Sequence, residues 1–179
     1  MGIDYDWVEI DILAGDTRTP EFLEMNANGR IPLLALPDGR YLPESSAILY
    51  YLADGSEFFA GDAYARAEIM QWMFFEQYSH EPFIATSRFI IKYLGNPKDK
   101  QAVLEEKKAG GLAALGIMER QLTDQAFFTG DNFNIADIAL YAYTHVADEG
   151  GFDLGDYPQI LEWIERIEGR PNFVPMAKK

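Results

Sequence analysis

Between Asn28 and Ala53 the chain reads N-G-R-I-P-L-L-A-L-P-D-G-R-Y-L-P-E-S-S-A-I-L-Y-Y-L-A, and no other stretch restricts the fold as much. Asp38-Gly39 separates the apolar run Leu33–Leu36 from Tyr41-Leu42. Asp-Gly tolerates the positive φ angles of a tight strand connection, so a β-hairpin is expected here. Pro32 stands just before the first run, where it cannot donate to a ladder; it belongs at a strand start or in a special turn such as a cis X-Pro bond. Pro43 halts the second strand, and Ser45-Ser46 are expected to cap a helix whose Ile48, Leu49 and Leu52 recur at helical spacing. A strand pair thus delivers a helix N-terminus with Glu44 beside it.

Upstream, residues 4–13 alternate, with Val8, Ile10 and Ile12 opposite Trp7, Glu9 and Asp11, the pattern of a half-buried strand. After the break at Ala14–Thr17, Thr19-Pro20 opens a short helix, with Thr as N-cap and Pro at the first helical position. Strand signals end at Asp54-Gly55-Ser56, and a linker runs to Gly61. Beyond it the pattern is helical: Ala63 to Leu94 with a kink at Pro82, Lys98 to Leu122, Asn134 to about Ala147, and Tyr157 to Glu168, followed by a short tail from Pro171 to Met176. Two domains are expected, residues 1–54 and residues 61–179, the first α/β and the second all-α. Asn134 and Asp137 have capping-box spacing: the Asn side chain accepts from the first turn while Asp137 reaches back to the Asn134 N–H.

Composition removes several classes of function. The chain holds no Cys, which excludes disulfides, Cys-ligated metal and a Cys nucleophile within it. His80 and His145 lack carboxylates at ligand spacing, so no metal is expected. A net charge of −14 argues against nucleic acid and anionic membrane, both of which attract cationic patches. No apolar run approaches the roughly 18 residues that span a bilayer, and no basic segment precedes an apolar one at the start. A soluble cytoplasmic protein is expected. Residues 1–54 contain only three bases, Arg18, Arg30 and Arg40, to meet any anionic ligand.

The order N-G-R-I-P, Asp-Gly hairpin, E-S-S-A-I, with N-I-A-D-I at 134–138, resembles the cytosolic glutathione transferase family, bacterial type, whose pattern runs Asn-Pro-x-Gly-x-Val/Ile-Pro and then Glu-Ser-x-Ala-Ile. Ala27 stands where the family usually has Pro. The resemblance implies a thioredoxin-like N-terminal domain, an all-α C-terminal domain, glutathione as co-substrate, a homodimer, and conjugation of glutathione thiolate to a small hydrophobic electrophile. It assigns the cysteinyl backbone of glutathione to Ile31-Pro32 and the γ-glutamyl end to Glu44 and Ser45; Arg30 and Arg18 are candidates for the glycine carboxylate, with solvation the commoner fate of a lone surface Arg. Tyr78, Ser79, His80 and Arg88 are candidates for the substrate cleft, with core packing the commoner fate of a residue like His80.

Aligned on the family, the chain starts after the opening strand and helix that ordinarily carry the activating Tyr, Ser or Cys. Impaired activity is the corresponding expectation, with the catalytic residue before Met1. In the family's strand order 2-1-3-4 the opening strand is central, so the segment Tyr5–Leu13 is expected to pair directly with Leu33–Leu36 or to borrow a strand from another chain. A non-catalytic binding or assembly module is the alternative from another class.

Overall fold

A computed structural model describes residues 2–176. The chain divides into two compact units, Met1–Phe59 and Ala60–Lys179.

In the first unit a 3-10 turn, Asp16–Arg18, precedes helix α1, Pro20–Met25. The Thr19 hydroxyl accepts from the Phe22 N–H at 3.2 Å, and Pro20 takes the first position, where its missing N–H costs nothing. Strands β1, Leu33–Ala35, and β2, Tyr41–Pro43, pair antiparallel with Leu33 opposite Pro43. The turn between them rests on Gly39 at φ 85°. Helix α2, Ser45–Ala53, follows at once. Phe22, Ala53 and Phe59 are the buried apolar residues of this unit among the described residues, and Tyr50 meets Phe59 edge-on at 5.1 Å.

The expected strand at Tyr5–Leu13 does not form. Among the described residues the sheet has two strands only, and the pairing with Leu33–Leu36 is absent. Alternation makes a strand only where a ladder covers its backbone and one face is buried, and here neither holds. Trp7 is 74% exposed and Val8, on the opposite face, 75%. What order the segment has is local: the Asp11 carboxylate accepts from the Leu13 and Ala14 N–H groups, and Asp16 accepts from the Asp11 N–H.

The second unit is helical. Helix α3, Ala63–Phe75, is N-capped by Asp62, which accepts from the Tyr64 and Ala65 N–H groups. It runs through a π-turn, Glu76–His80, into α4, Glu81–Arg88, which ends in a second π-turn, Phe89–Tyr93. The interruption expected at Pro82 therefore lies one turn earlier, where an extra residue is accommodated before the proline takes an early position in α4. Helices α5, Gln101–Leu122, α6, Ile135–Thr144, and α7, Pro158–Glu168, complete the unit. Chain 171–176 carries turns and no helix.

Its core is aromatic at the centre. Trp163 is fully buried against Phe128, rings at 5.1 Å, and Phe128 also meets Trp72 at 4.7 Å. Asp137 ties this cluster together. Its Oδ2 accepts from the Asn134 N–H at 3.0 Å, while Asn134 Oδ1 accepts from the Ala136 N–H at 3.0 Å, the reciprocal pair of a capping box. The other oxygen, Oδ1, accepts from Trp163 Nε1 at 3.0 Å and the Phe128 N–H at 3.1 Å. One carboxylate thus caps α6 and fixes both the α7 indole and the loop before α6.

Candidate functional site

Of the residues singled out at 18–45, Arg18 and Glu44 each contact Asn28, in the loop before the hairpin. The β1–β2 ladder ends at Leu33 opposite Pro43, so Pro32 directly precedes one end of it and Glu44 directly follows the other. The Ile31-Pro32 peptide bond is cis. Asn28 Nδ2 lies 3.5 Å from Glu44 Oε1, a contact at the limit of a hydrogen bond, and so reaches from the preceding loop to the start of α2.

That loop is built from side chains that replace a missing ladder. Asn26, buried, donates from Nδ2 to the Arg30 carbonyl at 2.8 Å and accepts from the Asn28 N–H at 3.1 Å. Gly29 sits at φ 60°, and a Cβ there would fall 2.8 Å from the Thr17 carbonyl, so only glycine fits the approach. Arg18 lies against the same spot, its Nη1 donating to the Asn28 carbonyl at 3.2 Å. Arg18 thus braces the loop; it and Arg30 are both exposed.

The helix start differs from expectation in one respect. Ser45 and Ser46 are the first helical residues of α2, and the N-cap is Glu44, whose side chain makes no capping bond. Glu44 is held at φ 72°, ψ 116°, while its carbonyl accepts from the Ile48 N–H at 2.9 Å. A non-glycine residue in such a conformation costs on the order of 1–3 kcal/mol and persists where the surroundings over-determine it. Ser46 Oγ is buried without a partner among the described residues. The start of α2 therefore offers backbone N–H groups and the positive end of the helix dipole, with a carboxylate beside them. Such an arrangement suits a ligand that carries both a carboxylate and an ammonium.

In the helical unit the cleft candidates do not form a set. Tyr78 is 85% exposed. His80 is fully buried, its Nε2 2.9 Å from Thr144 Oγ1, and burial lowers its pKa to about 4. Arg88 donates from Nε to Glu149 at 2.6 Å and lies over Tyr93. Glu76 had no signal in the sequence, and Asp137 was legible only as a helix cap. Burial pushes Glu76 up to about 7 and Asp137 up to about 6, the latter against the pull of its three donors. Among the described residues no group of His, Asp and Glu could hold a metal ion, and no helix is long and apolar enough to cross a membrane.

The chain belongs to the glutathione S-transferase family: residues 1–54 match the family's N-terminal domain and residues 71–171 its C-terminal domain. Its fold is accordingly that family's, a small thioredoxin-like α/β domain followed by a helical one. A glutathione S-transferase from Pseudomonas fluorescens superposes with a TM-score of 0.97 at 51% identity, over 99% of this chain and 88% of that one. A glutathione transferase from Burkholderia graminis, solved with two glutathione molecules bound per subunit, superposes at 0.80 with 28% identity, over 95% of this chain and 75% of that one. Among curated relatives, the disulfide-bond oxidoreductase YfcG of Escherichia coli is 28% identical over 94% of this chain and 81% of its own length.

Proposed function

We propose that the chain binds glutathione at the start of α2 and serves the transfer of its thiolate to hydrophobic electrophiles. The observation that carries this reading is Glu44, strained at φ 72° at the N-cap of a helix whose first turn is Ser45-Ser46. In this arrangement the γ-glutamyl carboxylate takes the Ser45 end of the helix and its ammonium takes the Glu44 carboxylate. The backbone of Ile31 before Pro32 pairs with the cysteinyl residue, and Arg30 is the cation for the glycine carboxylate, Arg18 being committed to its loop.

The chemistry then rests on the thiol. A free thiol has a pKa of about 8.5, so donors or positive potential at the sulfur raise the thiolate fraction at neutral pH. The thiolate attacks an electrophilic carbon, the carbon–sulfur bond forms, and the leaving group departs with the electron pair. Because the chain has no Cys, any thiol–disulfide exchange it supports uses the thiol of bound glutathione itself. That dependence suits a cytoplasmic protein, in the compartment where the glutathione pool is reduced.

A homodimer accompanies this reading. Tyr64, Phe74 and Tyr78 are all more than half exposed; Tyr64, Ala67, Gln71 and Phe74 follow three-and-four spacing along α3, and Tyr78 lies on the π-turn that continues it. A second copy is the occupant proposed for that face, and sedimentation of the Tyr78→Glu variant as a monomer is the expected outcome.

Retention on immobilised glutathione is expected for the unmodified chain, and turnover of an aryl halide measures the transfer. Glu44→Ala and Ser45→Ala should each weaken retention about tenfold or more, the size of one lost charge-assisted bond. Retention unchanged in both variants refutes the site. Retention without turnover of electrophile or disulfide leaves binding and assembly as the function.

A further inference from the structure

The joint between α3 and α4 carries a feature independent of the glutathione site. In the π-turn the Glu81 N–H donates to the Glu76 carbonyl, five residues back. Residues joined by a helical hydrogen bond lie one above the other, so the extra residue in this turn brings the side chains of Glu76 and Glu81 onto one face. Gln77 completes the arrangement: its Nε2 donates to Glu76 Oε2 at 2.7 Å and to Glu81 Oε2 at 2.6 Å. Two bonds from one nitrogen hold those oxygens no more than about 5 Å apart.

Glu76 is 3% exposed. Among the described residues no cation forms an ion pair with either acid. On the turn itself His80 is buried and engaged with Thr144 of α6. From α4, Arg88 is taken by Glu149; from α5, Lys107 donates to the Pro82 carbonyl at 2.7 Å and lies over Phe83. The titratable group from α6 is Tyr143, whose hydroxyl is pushed up by burial and by the charges of Glu81 and Glu76. Two carboxylates this close in a poorly solvated joint cannot both ionise without strong repulsion. Burial and the neighbouring Glu81 accordingly push Glu76 up.

We propose that Glu76, Gln77 and Glu81 form a proton-dependent clamp on the α3–α4 joint, closed while the carboxylate pair retains one proton and loosened when that proton leaves. Closed, the shared amide bridges the two acids, the retained proton removes the repulsion between them, and with them the i to i+5 backbone bond is held. Ionised, two anions face a single amide, and the turn gains by separating them. Tyr78 rides on this turn at the surface and His80 in the core, so loosening changes both faces of the joint at once.

Amide hydrogen exchange of the full chain, read at residues 78–81 and corrected for intrinsic rates, tests the clamp. Between about pH 5 and pH 8 the opening is expected to grow on the order of 10- to 100-fold, the linkage of a carboxyl that titrates near neutrality closed and in its ordinary range open. Glu76→Gln should make the profile flat. A carbon-13 titration of the side-chain carboxyls needs no Glu76 substitution: the Glu76 midpoint is expected near 7 and should fall in Glu81→Gln. A flat exchange profile in the unmodified chain, an unaltered slope in Glu76→Gln, or a Glu76 midpoint that ignores Glu81→Gln overturns the proposal.

Discussion

Replacing Asp137 by Ala should test how the helical unit is held together. The carboxylate is 0% exposed and accepts three hydrogen bonds, from the Asn134 N–H, the Phe128 N–H and Trp163 Nε1, at 3.0–3.1 Å. Alanine leaves all three donors without an acceptor. A buried donor left unmade costs about 1–3 kcal/mol, and partial entry of water offsets some of that, so the expected loss is on the order of 3–6 kcal/mol. Set against a typical domain stability of about 5–15 kcal/mol, this places the variant near the limit of folding. Two further substitutions divide the effect. Asp137→Asn keeps an oxygen for Phe128 and Trp163 but sets an NH2 against the Asn134 N–H, and should lose about half as much. Asn134→Ala removes only the forward half of the cap, about 1 kcal/mol. Urea unfolding followed by far-UV circular dichroism measures all three, with unchanged m-values certifying that stability alone has moved. If Asp137→Ala costs no more than Asn134→Ala, the residue is a cap and nothing else, and its assignment as the tie between α6, α7 and the preceding loop is refuted.

Two glycines in α5 should respond oppositely to Ala. A Cβ on Gly111 would overlap the ring of Phe152, so Gly111→Ala is expected to cost about 1–3 kcal/mol, whereas a Cβ on Gly116 meets nothing nearer than Arg120 Nη1 at 3.7 Å, and Gly116→Ala should stabilise by about 0.5–1 kcal/mol. Thermal melts of the two variants check the pair, and a shared sign would refute the packing argument. For pH, His80 is neutral when folded, its pKa lowered by burial to about 4 from 6.5. Its contribution is therefore intact above pH 6.5 and lost as pH falls toward 4, on the order of 3 kcal/mol in all, a loss that His80→Gln should abolish in urea midpoints taken across that window. Glu76 runs the other way: raised to about 7 from 4.5, it contributes fully below pH 4.5 and loses that contribution as pH rises to about 7, so Glu76→Gln should gain on the unmodified chain at neutral pH.

What the sequence made legible is local chemistry. Thr19-Pro20 opens α1 because a hydroxyl and a missing N–H suit the first helical turn, and Asp38-Gly39 turns the hairpin because Gly39 accepts φ 85°. Asn134 and Asp137 are three apart, so their reciprocal bonds need nothing from the rest of the chain. The segment Tyr5–Leu13 shows the limit of such reading: its alternation is as regular as that of any strand, but a strand depends on a neighbour far away in sequence, and alternation does not reveal whether one is present. Asp137 shows the same limit from the other side. Its bond to Asn134 was readable, and its bond to Trp163, 26 residues on, was not.

The candidate site divides along the same line, and the division explains where function concentrates. Glu44 occupies the N-cap position, where Asp, Asn, Ser and Thr are the usual choices, and adopts a backbone conformation that favours Gly. Glu76 is a carboxylate in the core, without an ion pair among the described residues and set there by a turn with one residue too many for an α-helix. Each breaks a rule that the neighbouring residues obey, and each break is maintained by contacts the residue does not itself supply: the hairpin mouth and Asn28 for Glu44, the Gln77 amide for Glu76. Glycine at 44 would relieve the backbone conflict and Gln at 76 the buried charge. Violations of local rules of this kind are the places where function is sought, and the proposed roles of Glu44 toward an ammonium and of Glu76 toward a proton rest on them.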